Sequence, residues 1–244
     1  MHPMDSKLSL ALDGLSAGRA LELTMKLARW LRALKLHDLL DAFGPIILLI
    51  LKSAGAGRLW VDYKLHDTKD TVGLRVKALV RNGASIITVH ASGGVPMMKA
   101  AVEATISECG DSLAEIYAIT VLTSLSDAED DNEIGRIYGK DRTRQQIVHE
   151  FALMAKEAGV QTVVCSAQEV GFLWQSPDLA GMKFVVPGTR SAGVALGQQK
   201  RSGTPAQAVA DGADVLVAGS QVTKAEDPVV AFKVMAAEIG MKLE

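Results

Sequence analysis

The chain has 244 residues, enough for one large domain or two small ones, and its composition is 48% hydrophobic and 22% charged. These fractions are typical of a globular protein and exclude a disordered chain, a coiled coil and a collagen-like fibre. Because 26 basic side chains face 28 acidic ones, the net charge is −2. The chain therefore lacks the basic excess of proteins that bind nucleic acid or anionic membranes.

Nothing in the sequence suggests a membrane or an export route. The apolar run 46–51 is far shorter than the roughly 18 residues that a membrane span needs. The first residues carry no basic segment leading into an apolar one, so no signal peptide is expected. Cys109 and Cys165 form no disulfide or metal-ligand pattern, and we expect buried free thiols in a reducing compartment. The sequence thus predicts a cytoplasmic protein.

Short apolar runs rich in β-branched residues alternate with amphipathic runs along almost the whole chain. The predicted strands cover residues 8–13, 33–36, 59–64, 85–90, 115–122, 162–165, 183–186 and 214–218. The predicted helices cover residues 17–31, 46–54, 71–80, 95–107, 144–158, 168–174, 204–210 and 228–239. The acidic stretch 124–142 is predicted as an irregular surface connection.

This alternation gives about eight strand–helix units of about 30 residues each, the size of a (β/α)₈ barrel. An open doubly wound sheet is the alternative, but no G-x-G-x-x-G motif follows the first strand. The chain shows no low-complexity linker or composition break. We therefore predict a single (β/α)₈ TIM barrel domain spanning residues 1–244.

The sharpest local pattern is Asp62-x-Lys64-x-x-Asp67 at the end of the third predicted strand. Residues 62 and 64 of a regular strand point to the same side, and residue 67 follows in the loop. Ionised groups are rarely placed in an apolar strand unless they are paired or functional. The pattern indicates an active site at the barrel mouth, or alternatively a structural salt-bridge network there.

Two further single charges, Asp13 and Lys35, end or lie in the first and second predicted strands. Active sites of βα barrels are built at the carboxyl ends of the strands. Lys35, Asp62, Lys64 and Asp67, with Asp13 at the edge, would form an alternating set in which each group stabilises its neighbour's charged form. Such a set can hold a proton donor beside a fixed negative charge.

A glycine-rich stretch follows the seventh predicted strand, at residues 187–193 and 197–201, and residues 218–220 follow the eighth. This corner of a barrel is the usual phosphate site, where backbone N–H groups hold phosphate oxygens. A plain flexible loop is the alternative interpretation. We expect a phosphorylated small molecule.

These residues make the chain resemble the orotidine 5′-phosphate decarboxylase family in its bacterial form. The resemblance covers almost the whole chain, and the combination of its segments is more specific than the Asp-x-Lys-x-x-Asp motif alone. The segments are Ala11-Leu12-Asp13, Leu34-Lys35, residues 62–67 with Thr71, Val89-His90-Ala91-Ser92-Gly93-Gly94, residues 120–124, Val164-Cys165-Ser166-Ala167-Gln168-Glu169, Pro187-Gly188-Thr189-Arg190 and Gln199-Lys200-Arg201.

The resemblance implies decarboxylation of orotidine 5′-monophosphate to uridine 5′-monophosphate, the last step of pyrimidine synthesis, without a cofactor or a metal. It implies that Lys64 protonates the carbanion at C6 and that Asp62 sits against the departing carboxylate. Lys35 and Asp67 complete the charged array, and Asp67 reaches the site of the other subunit of a homodimer.

The resemblance also implies where the nucleotide binds. Asp13 and Thr71 would contact the ribose, Thr123 the base, and Arg190, Gln199, Gly219 and Ser220 the phosphate. Ser220 stands where the family usually carries a phosphate-binding arginine, and Gln198 replaces a usual aspartate. The segment 68–71 also differs from the usual Ile-Pro-Asn-Thr, and the segment after Lys35 is one residue short. We expect Arg190 to supply the missing phosphate contact.

Two other functions fit part of the pattern. Magnesium-dependent sugar-phosphate decarboxylases or aldolases of the same superfamily share the third-strand motif but carry a metal-binding acid in the second strand, where this chain has Lys35. A non-catalytic nucleotide-binding barrel is suggested by Ser220. The retained charged array argues against it, because a buried charge cluster without a use costs stability.

Overall fold

The structure is a computed structural model that describes residues 5–109, 114–128, 131–191 and 203–243. Eight parallel strands close into a barrel in which each strand pairs with its neighbours along the chain and the first pairs with the last. The prediction of a (β/α)₈ barrel is confirmed. None of the described helices is long and apolar enough to cross a membrane.

The barrel strands and the helices are numbered separately in chain order. The strands are β1 Leu8–Ala11, β2 Leu34–Leu36, β3 Leu59–Leu65, β4 Ile86–His90, β5 Glu115–Ile119, β6 Thr162–Val164, β7 Lys183–Pro187 and β8 Val215–Ala218. The helices are α1 Ala17–Leu27, α2 Asp38–Phe43, α3 Ile46–Ser53, α4 Lys69–Arg81, α5 Val95–Cys109, α6 Glu133–Tyr138, α7 Arg144–Glu157, α8 Val170–Trp174, α9 Pro205–Ala210, α10 Ser220–Thr223 and α11 Pro228–Glu238.

Two hydrophobic cores follow from the alternation of side chains along the strands. Inward-facing residues fill the barrel, where Trp60 and Tyr117 meet edge to face at 5.1 Å between ring centres. Outward-facing residues pack with the helices in a larger outer core that includes Leu10, Val61 and Phe232. Apolar side chains on both faces hold each strand in place, so the polar side chains at and beyond the carboxyl ends of the strands are available to form a site.

The structure adds short elements that the sequence pattern did not predict. Helix α2, capped by the side chain of His37, precedes α3. Within the stretch predicted as irregular, residues 127–128 pair with residues 131–132 and α6 follows, capped by Asn132. Six predicted strands are one to three residues too long, β1, β5 and β6 at the carboxyl end and β2, β4 and β8 by one residue at the amino end.

Strand β3 is irregular where the charged motif begins. It pairs in register with β4 at Val61 and again at Leu65, but the register shifts between these two positions. Of the non-glycine residues that the structure describes, Lys64 alone has a positive φ, at +49°. Strain of this kind persists only where the surroundings fix it, and it is concentrated at functional sites.

Candidate active site

A cleft of about 720 Å³ opens at the carboxyl ends of the strands. This volume is in the usual range for a small-molecule site. Its floor is apolar, with Trp60 and Val217 among the lining residues, and charged side chains stand on its wall. The residues predicted for the site that line the cleft are Asp13, Lys35, Asp62, Lys64, Thr123, Arg190, Gly219 and Ser220.

Four of these side chains form one chain of ion pairs. Lys35 Nζ lies 2.7 Å from Asp13 Oδ2 and 2.9 Å from Asp62 Oδ2. Lys64 Nζ lies 2.8 Å from the same Oδ2 of Asp62. Lys35 and Asp62 are buried, and Lys64 is partly exposed toward the cleft. Lys64 lies two residues after Asp62, within the register shift of β3, and its left-handed backbone accompanies the contact between the two side chains.

The pairing keeps the two buried groups charged. Burial alone would raise the pKa of Asp62, but the ammonium groups of Lys35 and Lys64 outweigh it and lower that pKa below its usual value. Burial would likewise lower the pKa of Lys35, but Asp62 and Asp13 raise it overall. The array therefore presents fixed charges of both signs to any molecule in the cleft.

The structure leaves two predicted site residues outside the cleft of their own chain. Asp67 is exposed, and its Oδ1 accepts a hydrogen bond from the backbone N–H of Thr68 at 2.6 Å. Thr71 lies in the first turn of α4, where its hydroxyl accepts from that of Thr68 at 3.0 Å. Neither lines the cleft formed by the described residues of one chain.

At the opposite end of the cleft, Arg190 crosses from β7 to β8. Its Nη2 lies 3.3 Å from Ser220 Oγ, and its Nη1 donates to the carbonyl of Thr189 at 2.9 Å. The guanidinium thus stands beside Ser220, the position where the resemblance leads us to expect a phosphate-binding arginine. Gln199 lies outside the described residues, as do Gln198 and the segment 200–201.

His37 joins the site although the sequence pattern did not single it out. Its Nδ1 accepts from the backbone N–H of Asp38 at 2.7 Å, and its Nε2 lies 3.3 Å from Asp13 Oδ1. Nδ1 thus acts as an acceptor, and Nε2 faces the Asp13 carboxylate. Asp13, His37 and Asp38 are also the described group whose ligand atoms are close enough for a metal, within 4.8 Å. All three are at least partly exposed, and Asp13 is already paired with Lys35.

His90 at the end of β4 lies behind the array. It stacks on His66 at 5.6 Å between ring centres, and its Nδ1 is 2.7 Å from Ser92 Oγ. Burial, with the nearby charges of His66 and Lys64, lowers the pKa of His90 to about 4. His90 is thus a neutral residue behind the array at physiological pH.

Asp62 has two further neighbours that the sequence pattern assigned only to the core. Its Oδ1 accepts from the hydroxyl of Thr88 at 2.8 Å, and Thr88 in turn accepts from the indole N–H of Trp60 at 2.7 Å. A threonine and a tryptophan inside strands carry no sequence signal that separates them from packing residues. Only the observed alignment of β3 and β4 brings them to the carboxylate.

The fold and the site define a (β/α)₈-barrel protein with a lysine–carboxylate array and a cationic far end in one cleft. The family model described as orotidine 5′-phosphate decarboxylase / HUMPS family matches residues 6–235. The chain therefore belongs to that family.

Individual proteins give the same result. A relative from Paramagnetospirillum magneticum named orotidine 5′-phosphate decarboxylase is 39% identical, over 95% of this chain and 97% of its own. One of the same name from Moorella thermoacetica is 38% identical, over 99% of this chain and 94% of its own. A crystal structure of orotidine 5′-phosphate decarboxylase from Lactobacillus acidophilus has a TM-score of 0.78 and 28% identity, and it covers 97% of this chain and 100% of that one.

Proposed function

We propose that this chain decarboxylates orotidine 5′-monophosphate to uridine 5′-monophosphate in pyrimidine synthesis, with Lys64 as the proton donor and without a cofactor. The family, and relatives of that name over nearly the full chain, support a carboxy-lyase acting on this nucleotide. The observation that carries the mechanism is the array in which one oxygen of Asp62 faces both Lys35 and Lys64.

In the proposed step the substrate carboxylate lies against Asp62, whose negative charge disfavours the bound anion. The bond from C6 to the carboxylate carbon breaks, carbon dioxide departs, and the electron pair stays on C6. Lys64 then gives a proton from Nζ to C6 and later regains one from water. Lys35 holds Asp62 ionised and is held in turn by Asp13.

The other end of the cleft would hold the phosphate, with Arg190 as its cation beside Ser220 and Gly219. A guanidinium can form two charge-assisted hydrogen bonds to a phosphate, which a serine hydroxyl cannot. Thr123 lines the cleft and would contact the base, and Asp13, which also lines it, would contact the ribose. Thr71 lies outside the cleft of its own chain, so it would make its ribose contact only in the site of a second subunit.

We also infer a homodimer in which Asp67 completes the partner's site. Asp67 is exposed and lies outside the cleft of its own chain. It would therefore reach a cleft only by entering that of a second subunit. Exposed apolar side chains on neighbouring α3 and α4, among them Ile46, Leu49 and Leu74, offer surface for such a contact. The cysteine usage and the reaction favour a cytoplasmic location.

A magnesium-dependent sugar-phosphate decarboxylase is disfavoured by the position that Lys35 occupies. Lys35 lies in the second strand, where that class carries a metal-binding acid. Its ammonium group is buried and paired with the carboxylates of Asp13 and Asp62. A cation cannot ligate a cation, so a metal at this point would require the array to break apart.

The test follows the loss of ultraviolet absorbance of orotidine 5′-monophosphate with purified protein and an excess of chelator. We expect turnover that the chelator does not change. Lys64→Ala should lower kcat by at least about a hundredfold, the range for loss of a general acid, while Lys26→Ala on the exposed face of α1 should be neutral. An inactive wild-type chain, or activity that returns only with magnesium, would contradict the proposal.

A further inference from the structure

Thr88 and Trp60 form a buried hydrogen-bonded pair that ends on Asp62. Trp60 Nε1 lies 2.7 Å from Thr88 Oγ1, and Thr88 Oγ1 lies 2.8 Å from Asp62 Oδ1. Thr88 is fully buried and Trp60 is 1% exposed. The proposed mechanism uses neither side chain.

The chemistry of the three groups fixes the direction of both hydrogen bonds. An indole N–H can only donate, and a threonine hydroxyl has a single proton. Since the Trp60 N–H occupies a lone pair of the Thr88 oxygen, the Thr88 proton must point to a different acceptor. Asp62 Oδ1 at 2.8 Å is far better placed than the carbonyl of Val61 at 3.5 Å. Trp60 therefore directs the Thr88 proton to Asp62.

This bond determines how the Asp62 carboxylate is turned. Oδ2 receives both ammonium groups, from Lys35 at 2.9 Å and from Lys64 at 2.8 Å. Oδ1 is held by Thr88, so rotation of the carboxylate about its Cβ–Cγ bond would break contacts on both sides. The edge-to-face packing of Trp60 on Tyr117, at 70° between the rings, fixes the far end of the relay.

We propose that Trp60 and Thr88 are positioning residues that orient Asp62 and, through it, the ammonium group of Lys64. The inference rests on the proposed function, since it assigns Asp62 and Lys64 to the reacting centre. Loss of the relay would misalign the proton donor during the chemical step and leave the phosphate end of the cleft unchanged. The effect should therefore fall on kcat rather than on KM.

The first test compares Thr88→Val, which keeps the shape and removes the hydroxyl, with Thr88→Ser, which keeps the hydroxyl. We expect Thr88→Val to lower kcat by more than about tenfold with KM within about threefold, and Thr88→Ser to retain most of the activity. Thr24→Val is the matched control, because it removes a fully buried threonine hydroxyl bonded to the carbonyl of Ala20 in α1. It should leave kcat unchanged.

The second test uses Trp60→Phe, which keeps an aromatic ring in the core and removes the N–H. Since Trp60 acts through Thr88, the double variant with Thr88→Val should be no slower than Thr88→Val alone. Multiplicative effects of the two substitutions would overturn the relay, as would a Thr88→Ser variant as slow as Thr88→Val. If Thr88→Val does not fold, an unchanged kcat in Trp60→Phe overturns it.

The outcome separates the relay from the proposed function. An active wild type with an unaffected Thr88→Val variant overturns the relay alone. A wild type without decarboxylase activity overturns the proposed function and the relay with it.

Discussion

Arg190 is the side chain that we propose as the phosphate cation in place of an arginine at position 220. Its guanidinium reaches from the end of β7 to Ser220 at the start of α10, with 3.3 Å between Nη2 and Oγ. A hydrogen bond between charged groups contributes about 1.5–3 kcal/mol, or about tenfold to a hundredfold in binding. The position of Arg190 at the phosphate end of the cleft therefore leads to a prediction about kcat/KM.

We expect Arg190→Ala to lower kcat/KM by more than about tenfold, because the phosphate loses a charge-assisted contact whose binding energy also serves turnover. Ser220→Arg in the same chain should restore part of the loss. Steady-state kinetics measure both effects, and Arg29→Ala on the outer surface is the control. A near-neutral Arg190→Ala together with a strong gain from Ser220→Arg alone would show that Arg190 does not compensate.

His90 connects the site to the pH dependence of stability. Its pKa is about 4 in the folded protein, against 6.5 for an ordinary histidine. Between these values the unfolded chain binds a proton that the folded chain does not, so the contribution of His90 is complete above pH 6.5 and declines as the pH falls toward 4. The loss amounts to about 2 kcal/mol by pH 5.

We therefore expect wild type to lose more stability between pH 7 and pH 5 than His90→Asn, which does not titrate. Urea unfolding at the two pH values measures this difference in the free energy of unfolding, and the other titrating groups cancel in the comparison. Equal losses in the two proteins would show that His90 titrates normally in the fold.

Four residues could be placed at the site from charge alone, without the family resemblance, because their charge is unusual for their position. Asp13, Lys35, Asp62 and Lys64 each interrupt or end an apolar strand, and the barrel brings the strand ends together. Thr88 and His37 have no such contrast with their surroundings, so their contacts to Asp62 and Asp13 became visible only in three dimensions. The roles of all these residues, and those of Thr71, Gln199 and Asp67, stay predictions.

At the scale of elements, the long periodic segments were predictable and their ends were not. The predicted helix 144–158 agrees with α7 to within one residue, and the structure shows a capping box of Thr143 and Gln146 at its start. α6, six residues long, was missed because so short a helix shows no periodicity. The register shift in β3 could not be predicted either. A regular strand already places residues 62 and 64 on the same side, so the charge pattern looks the same with or without the shift.

The packing of α8 against the turn between α9 and β8 can be tested by adding one methyl group at Gly212. Gly212 has φ +104°, and a Cβ there would lie 2.2 Å from Trp174 Cγ at the end of α8. Gly181 before β7 has φ +86° with open space around its Cβ position. An alanine would have a strained positive φ at either position, but only at Gly212 would its Cβ clash with Trp174.

Gly212→Ala should therefore destabilise the protein by at least about 1 kcal/mol more than Gly181→Ala, the cost of overpacking at a tight contact. Urea or thermal unfolding of the two variants gives the comparison. Equal losses would mean that Trp174 moves aside without cost and does not anchor α8 to this turn.

At the scale of the whole molecule, the closed barrel followed from the count and spacing of the strand–helix units, and it is confirmed. The assignment of residues 1–244 to one domain stays a prediction. A homodimer is expected from the family resemblance rather than from periodicity, since an interface is made of surface residues that satisfy no internal pattern, and it stays a prediction. The position of Asp67, outside the cleft of its own chain, supports it.

Mixing two inactive variants tests the shared site. In a heterodimer of Lys64→Ala and Asp67→Ala chains, one site combines an intact Lys64 with the partner's intact Asp67. Random exchange should therefore restore about a quarter of wild-type activity. Lys64→Ala mixed with Asp62→Ala is the control, because these two residues serve the same chain's array and no intact site can form. Exchange without recovery in the first mixture would refute a shared site.

The left-handed backbone at Lys64 lowers the stability of the fold at the residue that we propose as the proton donor. Glycine and asparagine tolerate φ +49° better than lysine does, by about 1 kcal/mol for glycine. The same lysine pairs with the buried Asp62 carboxylate at 2.8 Å, so replacing it would relieve the backbone and leave that carboxylate with Lys35 as its remaining ammonium partner in the array. Residue 64 thus combines an unfavourable backbone conformation with an ion pair that glycine or asparagine cannot form, so the backbone of β3 and the charge of Asp62 favour different side chains at one position.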